Sequence, residues 1–102
     1  MNTQDIRLIA LDLDGTLLNS KKQLSPRNLA ALTRAAELGI EIVPATGRFY
    51  GGMPDFIRAL PFLHYALTIN GAQVCAVPNC APIYCAEIPW QDAVSLLRYL
   101  DK

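Results

Sequence analysis

Short continuous apolar runs alternate along this chain with segments whose apolar residues recur every three or four positions. Runs of that kind are typical of strands, and the wider spacing is typical of helices that bury one face. The pattern predicts strands at 6–11, 40–45 and 65–69, a hairpin of 72–77 and 82–88, and helices at 26–38, 54–60 and 90–101. Residues 16–24 are predicted to form an irregular flap or a small hairpin. This alternation indicates an α/β fold in which right-handed crossovers join parallel strands.

The helix predicted at 26–38 has signals at both ends. Ser25 is a good N-cap, and Pro26 suits the first helical position. Gly39 suits the left-handed residue that commonly ends a helix. The side chains expected to face the core are Leu29, Leu32 and Ala36.

Three prolines mark the other elements. Pro54 opens the helix at 54–60, and Pro89 precedes the helix at 90–101. Pro44 lies near the end of the second strand, and because proline cannot donate to a ladder, that strand is expected to stop early. The inward side chains of the shorter helix are expected to be Phe56, Ile57 and Leu60. The apolar stripe of the last helix consists of Trp90, Ala93, Val94, Leu97 and Leu100.

The first predicted strand is nearly continuously apolar, and it ends in two acids one residue apart, Asp12 and Asp14. Continuous apolar strands are typical of parallel strands buried on both faces. Open α/β sheets place their chemistry in the loops just beyond the carboxyl ends of such strands. Two carboxylates there repel each other unless a cation or a proton lies between them. Asp12 and Asp14 are therefore the first candidates for a functional site.

Composition narrows the possible partners. The chain has 102 residues, of which 52% are hydrophobic and 18% charged, and its formal net charge is zero. This is enough for one small domain with a core, and no basic patch favours nucleic acid or an anionic membrane. No apolar run is long enough to span a bilayer, and residues 1–5 do not resemble a secretory signal. We therefore expect a cytoplasmic location.

The three cysteines, Cys75, Cys80 and Cys85, are spaced by five residues, which matches no common zinc motif. With no secretory signal in view, free thiols are the expected state.

Three interpretations of the acid pair compete. The first is a simple turn after a strand, where Asp and Gly are common. The second is a calcium loop, but Gly15 comes at the fourth position rather than the sixth, and Gln23 stands where the closing Glu is needed. The third is phosphoryl transfer, in which one carboxylate attacks phosphorus, the other handles protons, and Mg²⁺ neutralises the charge. Gly15 and nearby backbone amides would then let the loop wrap a phosphate.

The next two strands also end in polar residues at the same predicted edge. The hydroxyl and backbone N–H of Thr46 could hold a phosphoryl oxygen, although Thr46 could instead be a helix cap. Arg48 could meet an anion or be a solvated charge, and Asn70 could contact a substrate or form a turn. Because three strand ends carry polar motifs at one edge, phosphoryl transfer is favoured over explaining each motif separately as a cap, a solvated charge or a turn.

These motifs resemble a known family. Asp12-Leu-Asp14-Gly15-Thr16-Leu-Leu resembles the first motif, DxDGT, of the haloacid dehalogenase superfamily of phosphotransferases. Ala45-Thr46-Gly47-Arg48 and Asn70-Gly71-Ala72 resemble its Cof-like phosphatase branch, whose members carry a large, C2-type cap domain after the third strand.

The resemblance assigns roles to individual residues. Asp12 would be the nucleophile that forms an aspartyl-phosphate, and Asp14 the general acid/base. Asp12 and Asp14, the latter through its backbone carbonyl, would bind Mg²⁺. Contacts to phosphate or substrate are implied for Leu13, Gly15, Thr46, Gly47, Arg48 and Asn70.

The resemblance also implies the domain organisation. Residues 1–86 would be the N-terminal part of an incomplete, Rossmann-like parallel three-layer core, and 87–102 the start of a truncated cap. The family's later Lys and its second acid cluster have no counterpart here. The chain is thus expected to be an N-terminal fragment of a Mg²⁺-dependent phosphatase for small phosphorylated metabolites such as sugar phosphates, which a C-terminal chain could complete.

Two alternatives remain open. One is an inactive remnant that folds and self-associates, because the first strand would be an open apolar edge. The other is a receiver-like phospho-acceptor, which shares the acidic strand end but needs a late Lys that this sequence does not show.

Overall fold

The computed structural model describes residues 5–101 as a mixed five-stranded sheet with three α-helices, and it confirms the Rossmann-type α/β prediction. The strands lie side by side in chain order. β1, β2 and β3 are parallel to one another, β4 is antiparallel to β3, and β5 is antiparallel to β4. The elements are β1 (Leu8–Asp12), α1 (Pro26–Glu37), β2 (Glu41–Ala45), α2 (Asp55–Arg58), β3 (Tyr65–Thr68), β4 (Gln73–Ala76), β5 (Ala81–Cys85) and α3 (Trp90–Leu100). Residues 1–4 and 102 lie outside the described residues. The expectation that the N-terminus is not a secretory signal and the outer limits of both predicted domains fall on them.

The predicted ends of α1 are confirmed. The Ser25 side chain accepts a hydrogen bond from the Asn28 backbone N–H at 3.1 Å, and Gly39 has a φ of 85°. Of the expected inward residues, Leu32 is buried and Ala36 packs against the core. The prediction for Leu29 is wrong: it lies in the first turn of α1, beyond the contact made by the later turns, and is 38% exposed.

Pro44 does not end β2, which continues to Ala45 and pairs with β1 along its whole length. The Thr46 N–H donates to Leu67 on the β3 side. Because alternate residues of a strand direct their N–H groups to the same neighbour, the missing donor of Pro44 also falls on that side. There the ladder consists only of the Ala45–Leu67 pair and an isolated bridge, so a proline is tolerated.

The core lies on one face of the sheet. Leu32 of α1 and Ile57 of α2 meet the same strand side chains, Leu11, Ile42 and Pro44. Phe56 was expected to join them, but in so short a helix the adjacent Ile57 takes the inward position, and Phe56 is exposed.

The prediction that β1 is buried on both faces is wrong. In the part of the chain that the structure describes, β1 is the edge strand and pairs with β2 alone, and Leu8 is 56% exposed. Within residues 5–101 the helices α1 and α2 cover only the opposite face, so Leu8 and Ala10 lie open while Ile9 and Leu11 pack inward. The open apolar edge expected for this strand is therefore confirmed.

β5 and α3 contribute no buried residue to this core, whereas Cys75 of β4 belongs to it. The apolar residues of α3, including Trp90, Leu97 and Leu100, are exposed, although the predicted helix itself is confirmed. The Cα radius of gyration is 16.6 Å, compared with about 13 Å for a compact domain of this size. The predicted boundary at residue 86 between core and cap stays a prediction.

The three thiols are free, as predicted. Cys75 lies in the core, and burial, with a smaller effect of the neighbouring Cys80 thiol, raises the pKa of the Cys75 thiol to about 12. No helix in the described part of the chain is both long enough and apolar enough to cross a membrane.

Candidate active site

The carboxyl ends of β1, β2 and β3 surround a cleft of about 380 Å³. Predicted site residues meet there from all three strand ends: Asp12 from the first, Thr46 and Gly47 from the second, and Asn70 from the third. The complete lining consists of Asp12, Ala45, Thr46, Gly47, Leu67, Asn70 and Gly71. The side chains of Asp14 and Arg48 are not part of this lining, and they bind each other beside it.

The loop after β1 is held by backbone hydrogen bonds. The Leu17 N–H donates to the Asp12 carbonyl at 3.1 Å, and the Leu18 N–H donates to the Leu13 carbonyl at 2.8 Å. Gly15 supports this tight path with a φ of 77°, which other residues rarely adopt. The Leu13 side chain is fully buried in the core, so only its backbone could contact a ligand. The result is a fixed loop that leaves the Asp12 carboxylate exposed to the cleft.

The Asp14 carboxylate is held by two cations. Arg48 donates from Nε to Oδ2 at 2.8 Å and from Nη2 to Oδ1 at 2.6 Å, and the Lys22 ammonium lies 3.0 Å from Oδ1. These hydrogen bonds, the Arg48 bond first, lower the pKa of Asp14 from 3.8 to about 2. The same contact raises the pKa of Arg48. Arg48 was expected to meet either an anion or solvent, and the anion it meets is Asp14.

Thr46 is buried, and its two predicted donors, the backbone N–H and the hydroxyl, have different hydrogen-bond partners. Its backbone N–H donates to the Leu67 carbonyl at 2.9 Å, so the prediction that this N–H could hold a phosphoryl oxygen is wrong. Parallel pairing with β3 takes that donor. The Thr46 hydroxyl oxygen accepts the Arg48 N–H at 3.0 Å, which leaves its hydrogen free to donate. The Gly47 N–H has no hydrogen-bond partner among residues 5–101, and it can take the role expected of the Thr46 amide.

The second and third strand ends are joined closely. The Asn70 N–H donates to the Thr46 carbonyl at 3.1 Å, and the Ile69 N–H donates to the Arg48 carbonyl at 3.0 Å. A Cβ atom on Gly47 would lie only 2.9 Å from Asn70 Oδ1, so a side chain there would displace the amide. Asn70 itself is left-handed, with a φ of 53°, a conformation that Asn tolerates better than most residues.

The site offers oxygen donors of the kind that Mg²⁺ prefers, but few of them. Within residues 5–101, no group of three or more His, Cys, Asp or Glu residues could hold a metal ion. The Asp14 carboxylate is engaged by Arg48 and Lys22, so the Asp12 carboxylate and the Asp14 backbone carbonyl are the donors that fit. This set is thin for an ion that prefers near-ideal octahedral coordination, with waters and substrate phosphate completing the shell.

The contact between Lys22 and Asp14 was not predicted, because residues 16–24 were expected only to form an irregular flap or a small hairpin. The ion pair joins positions eight residues apart across a turn whose shape is set by side-chain hydrogen bonds to Asn19. Asn is common in turns, but nothing in the sequence indicates which of the neighbouring lysines, Lys21 or Lys22, faces the acid.

Comparisons with known proteins agree with these observations. The sequence profile of a family described as haloacid dehalogenase-like hydrolase matches residues 9–102. The chain is 46% identical over 65 residues to pyridoxal phosphate phosphatase YbhA of Escherichia coli, a match that covers 64% of this chain and 24% of that protein. It is 34% identical over 92 residues to HMP-PP phosphatase of Yersinia pestis, which covers 90% of this chain and 33% of that protein.

Solved structures give the same result. A haloacid dehalogenase-like hydrolase from Bacillus subtilis superimposes with a TM-score of 0.79 at 36% identity, over 94% of this chain and 33% of that one. The phosphatase BT1666 from Bacteroides thetaiotaomicron superimposes with a TM-score of 0.80 at 32% identity, over 98% of this chain and 38% of that one. The chain thus spans about a quarter to a third of the length of the curated relatives it matches.

Proposed function

The chain belongs to the haloacid dehalogenase-like hydrolase family, and from this premise we propose that it carries the nucleophile and phosphate-binding loops of a phosphatase. The substrates would be small phosphorylated metabolites, the class named for the relatives that act on pyridoxal phosphate and HMP-PP. The observation that carries the proposal is the exposed Asp12 carboxylate in a cleft shared with Thr46, Gly47 and Asn70. The cytoplasmic location stays a prediction.

Asp12 is the proposed nucleophile. One of its carboxylate oxygens bonds to phosphorus while the bond from phosphorus to the ester oxygen breaks, and the leaving oxygen takes a proton from Asp14. Water then attacks the aspartyl-phosphate and gives a proton to Asp14, and the bond between Asp12 and phosphorus breaks to release phosphate. Because Arg48 and Lys22 lower its pKa to about 2, Asp14 is ionised at neutral pH, so it can accept the proton of water directly and must be protonated before it donates one.

Thr46 and Gly47 are the proposed phosphate ligands. Thr46 and Gly47 both line the cleft, and among residues 5–101 the Thr46 hydroxyl hydrogen and the Gly47 N–H have no hydrogen-bond acceptor. Fixed donors of this kind stabilise the charge that develops on the phosphoryl oxygens. Asn70 contributes an amide beside Gly47, where it can contact the phosphoryl group or the remainder of the substrate.

Magnesium is the proposed cofactor, held by the Asp12 carboxylate and the Asp14 backbone carbonyl. When bound, it would neutralise charge between the nucleophile and the phosphate. Because these two donors are few, we expect weak binding by this chain alone.

Within residues 5–101, no ion pair joins a lysine to Asp12, and the cleft lining contains no second acid cluster. We therefore propose that full activity needs a second polypeptide segment that supplies such groups. A different observation favours the alternative of an inactive, self-associating protein: β1 is an open edge, and one face of the sheet bears exposed apolar side chains such as Leu8 and Tyr84.

Hydrolysis of p-nitrophenyl phosphate with Mg²⁺ tests the proposal. The chain is assayed alone and after refolding with the portion of the Escherichia coli relative that it does not match, with Asp12→Asn as the control variant. We expect little or no turnover alone and Asp12-dependent turnover in the mixture. Absence of Asp12-dependent turnover in both samples would favour the inactive alternative. Ordinary enzymatic rates from the chain alone would contradict the need for a second segment.

A further inference from the structure

The flap between β1 and α1 contains a turn organised by one side chain. Asn19 Oδ1 accepts hydrogen bonds from two backbone groups, the Lys21 N–H at 2.9 Å and the Gln23 N–H at 3.0 Å. The Asn19 backbone closes the same turn through its carbonyl, bonded to the Lys22 N–H at 2.9 Å, and its N–H, bonded to the Gln23 carbonyl at 3.0 Å. Leu18, which precedes the turn, is buried in the core, so the turn is anchored to the loop that carries Asp14.

Lys22 has an unusual backbone within this turn. Its φ is 60°, a left-handed conformation in which glycine, Asn and Asp are far more common than Lys. Such a conformation persists only where surrounding contacts over-determine it, and the bonds to Asn19 do so here. The conformation directs the long side chain back over the β1 loop, where its ammonium reaches Asp14 Oδ1 at 3.0 Å.

Asp14 is thus fixed from two independent loops. Arg48 approaches from the segment after β2 and is itself anchored by a bond from Nη1 to the Gly52 carbonyl at 2.8 Å. Lys22 approaches from the flap and binds the same Oδ1 atom that Arg48 Nη2 contacts. With donors from both directions, the carboxylate cannot turn without breaking a charged hydrogen bond.

The ion pair between Lys22 and Asp14 is a poor source of folding stability. The two side chains are 58% and 35% exposed, and exposed ion pairs contribute little to the free energy of unfolding. The left-handed backbone of Lys22 is unfavourable, and the ion pair that it makes possible stabilises the fold only weakly. This combination indicates that Lys22 serves the site rather than folding stability.

We propose that Asn19 and Lys22 are positioning residues, which fix the direction of the Asp14 carboxylate at the edge of the cleft. Asn19 sets the turn, and the turn delivers the Lys22 ammonium to Asp14. That this direction serves proton transfer to and from the substrate rests on the proposed function of Asp14.

The first test needs no activity. Side-chain ammonium signals of lysine are observed by NMR only where hydrogen bonding slows proton exchange, and the chain has three lysines, Lys21, Lys22 and Lys102. We expect one protected signal in the wild type, lost in Lys22→Gln, Asp14→Asn and Asn19→Ala but kept in the matched control Lys21→Gln. A wild-type spectrum without a protected ammonium would overturn the proposal, as would a protected signal that survives Asn19→Ala.

The second test measures kcat and KM of the mixture described above. We expect Lys22→Gln to lower kcat about tenfold, part of the roughly hundredfold or more that general acid–base catalysis contributes, with KM unchanged. Lys22→Arg should restore most of the rate and Lys21→Gln should have no effect. If Lys22→Gln leaves kcat unchanged, the positioning role in catalysis is wrong. If the wild-type mixture lacks Asp12-dependent turnover, the proposed function fails, and the NMR result alone then decides the positioning proposal.

Discussion

At the scale of single residues, the neighbours of Asp14 decide its chemistry. Asp12 and Asp14 are separated by one residue in the sequence, yet only Asp12 faces the cleft, while Asp14 is bound by Arg48 and Lys22. The sequence indicated that a cation should lie near the two acids, and the structure places two cations from the protein on one of them.

The pH dependence of Asp14 follows from these contacts. Its pKa is lowered from 3.8 to about 2, so the stabilisation from its ion pairs is fully present above the ordinary pKa and is lost as pH falls through about 2. We expect Arg48→Gln to move the pKa of Asp14 back toward 3.8, because the hydrogen bonds to Arg48 are the largest single cause of the lowering. A ¹³C NMR titration of the Asp14 carboxyl measures this, with Lys21→Gln as the control. An unchanged titration in Arg48→Gln would show that Arg48 is not the main cause.

Gly47 allows the second and third strand ends to approach closely. In Gly47→Ala the new Cβ atom would meet Asn70 Oδ1 at 2.9 Å, and we expect a loss of about 1 kcal/mol in the free energy of unfolding. Asn70→Ala removes the atom that is met, so adding Gly47→Ala to that variant should cost close to nothing. Urea denaturation of the four proteins in this cycle measures the coupling. Equal effects of Gly47→Ala in both backgrounds would contradict the close approach.

At the scale of elements, the sequence predicted helix ends most reliably, because each end depends on the local backbone around one residue. Ser25, Pro26 and Gly39 correctly marked the ends of α1, because capping and left-handed φ depend on local backbone geometry. Burial was less predictable. Leu29 and Phe56 fit an apolar pattern but lie outside the contacts that α1 and α2 make, which depend on where the helices cross the sheet.

The N-cap of α1 should contribute measurably to stability. Ser25→Ala removes the acceptor of the Asn28 N–H, and we expect a loss of about 1 kcal/mol. Urea denaturation measures it, and Ser20→Ala in the flap is a suitable control because the Ser20 side chain makes no hydrogen bond in the described part of the chain. Similar losses in both variants would argue against a specific capping effect.

The location of the candidate site could be predicted from the sequence, but its hydrogen bonds could not. Parallel strands put Asp12, Thr46 and Asn70 at one edge, and the family motifs name the same positions. Pairing between β2 and β3, which takes the Thr46 N–H, depends on register and could not be read from the sequence. The Asn19 turn that brings Lys22 to Asp14 depends on side-chain bonds within the flap, which have no periodic pattern.

At the scale of the whole molecule, residues 5–101 leave the outer edge of β1 unpaired and leave exposed the face of that strand that carries Leu8 and Ala10. Open apolar edges recruit other strands, since their N–H and C=O groups have no partners on that side. The nearly continuous apolar character of β1 indicated burial on both faces, but in the described part of the chain the covering element on one face is missing. A continuously apolar strand thus indicates that both of its faces require burial, but it does not indicate which polypeptide segment buries them.

We expect the purified protein to self-associate through this region. Leu8→Lys places a charge on the exposed face of the edge strand and should shift the protein toward monomer. Leu97→Lys on α3 is the matched control, because Leu97 is similarly exposed but lies outside the sheet, and it should leave association unchanged. Sedimentation velocity over a range of concentrations measures both variants. A wild-type protein that stays monomeric at high concentration would rule this association out.

The three thiols form a natural series of chemical reporters, because Cys75 is buried, Cys80 is intermediate and Cys85 is exposed. Alkylation requires the thiolate and access to it, and the pKa of about 12 at Cys75 leaves almost none of that form at neutral pH. Modification of Cys75 would therefore record transient opening of the protein interior, while modification of Cys85 would record whether anything has docked onto the hairpin. Mass spectrometry of the unaltered protein could follow both events at once.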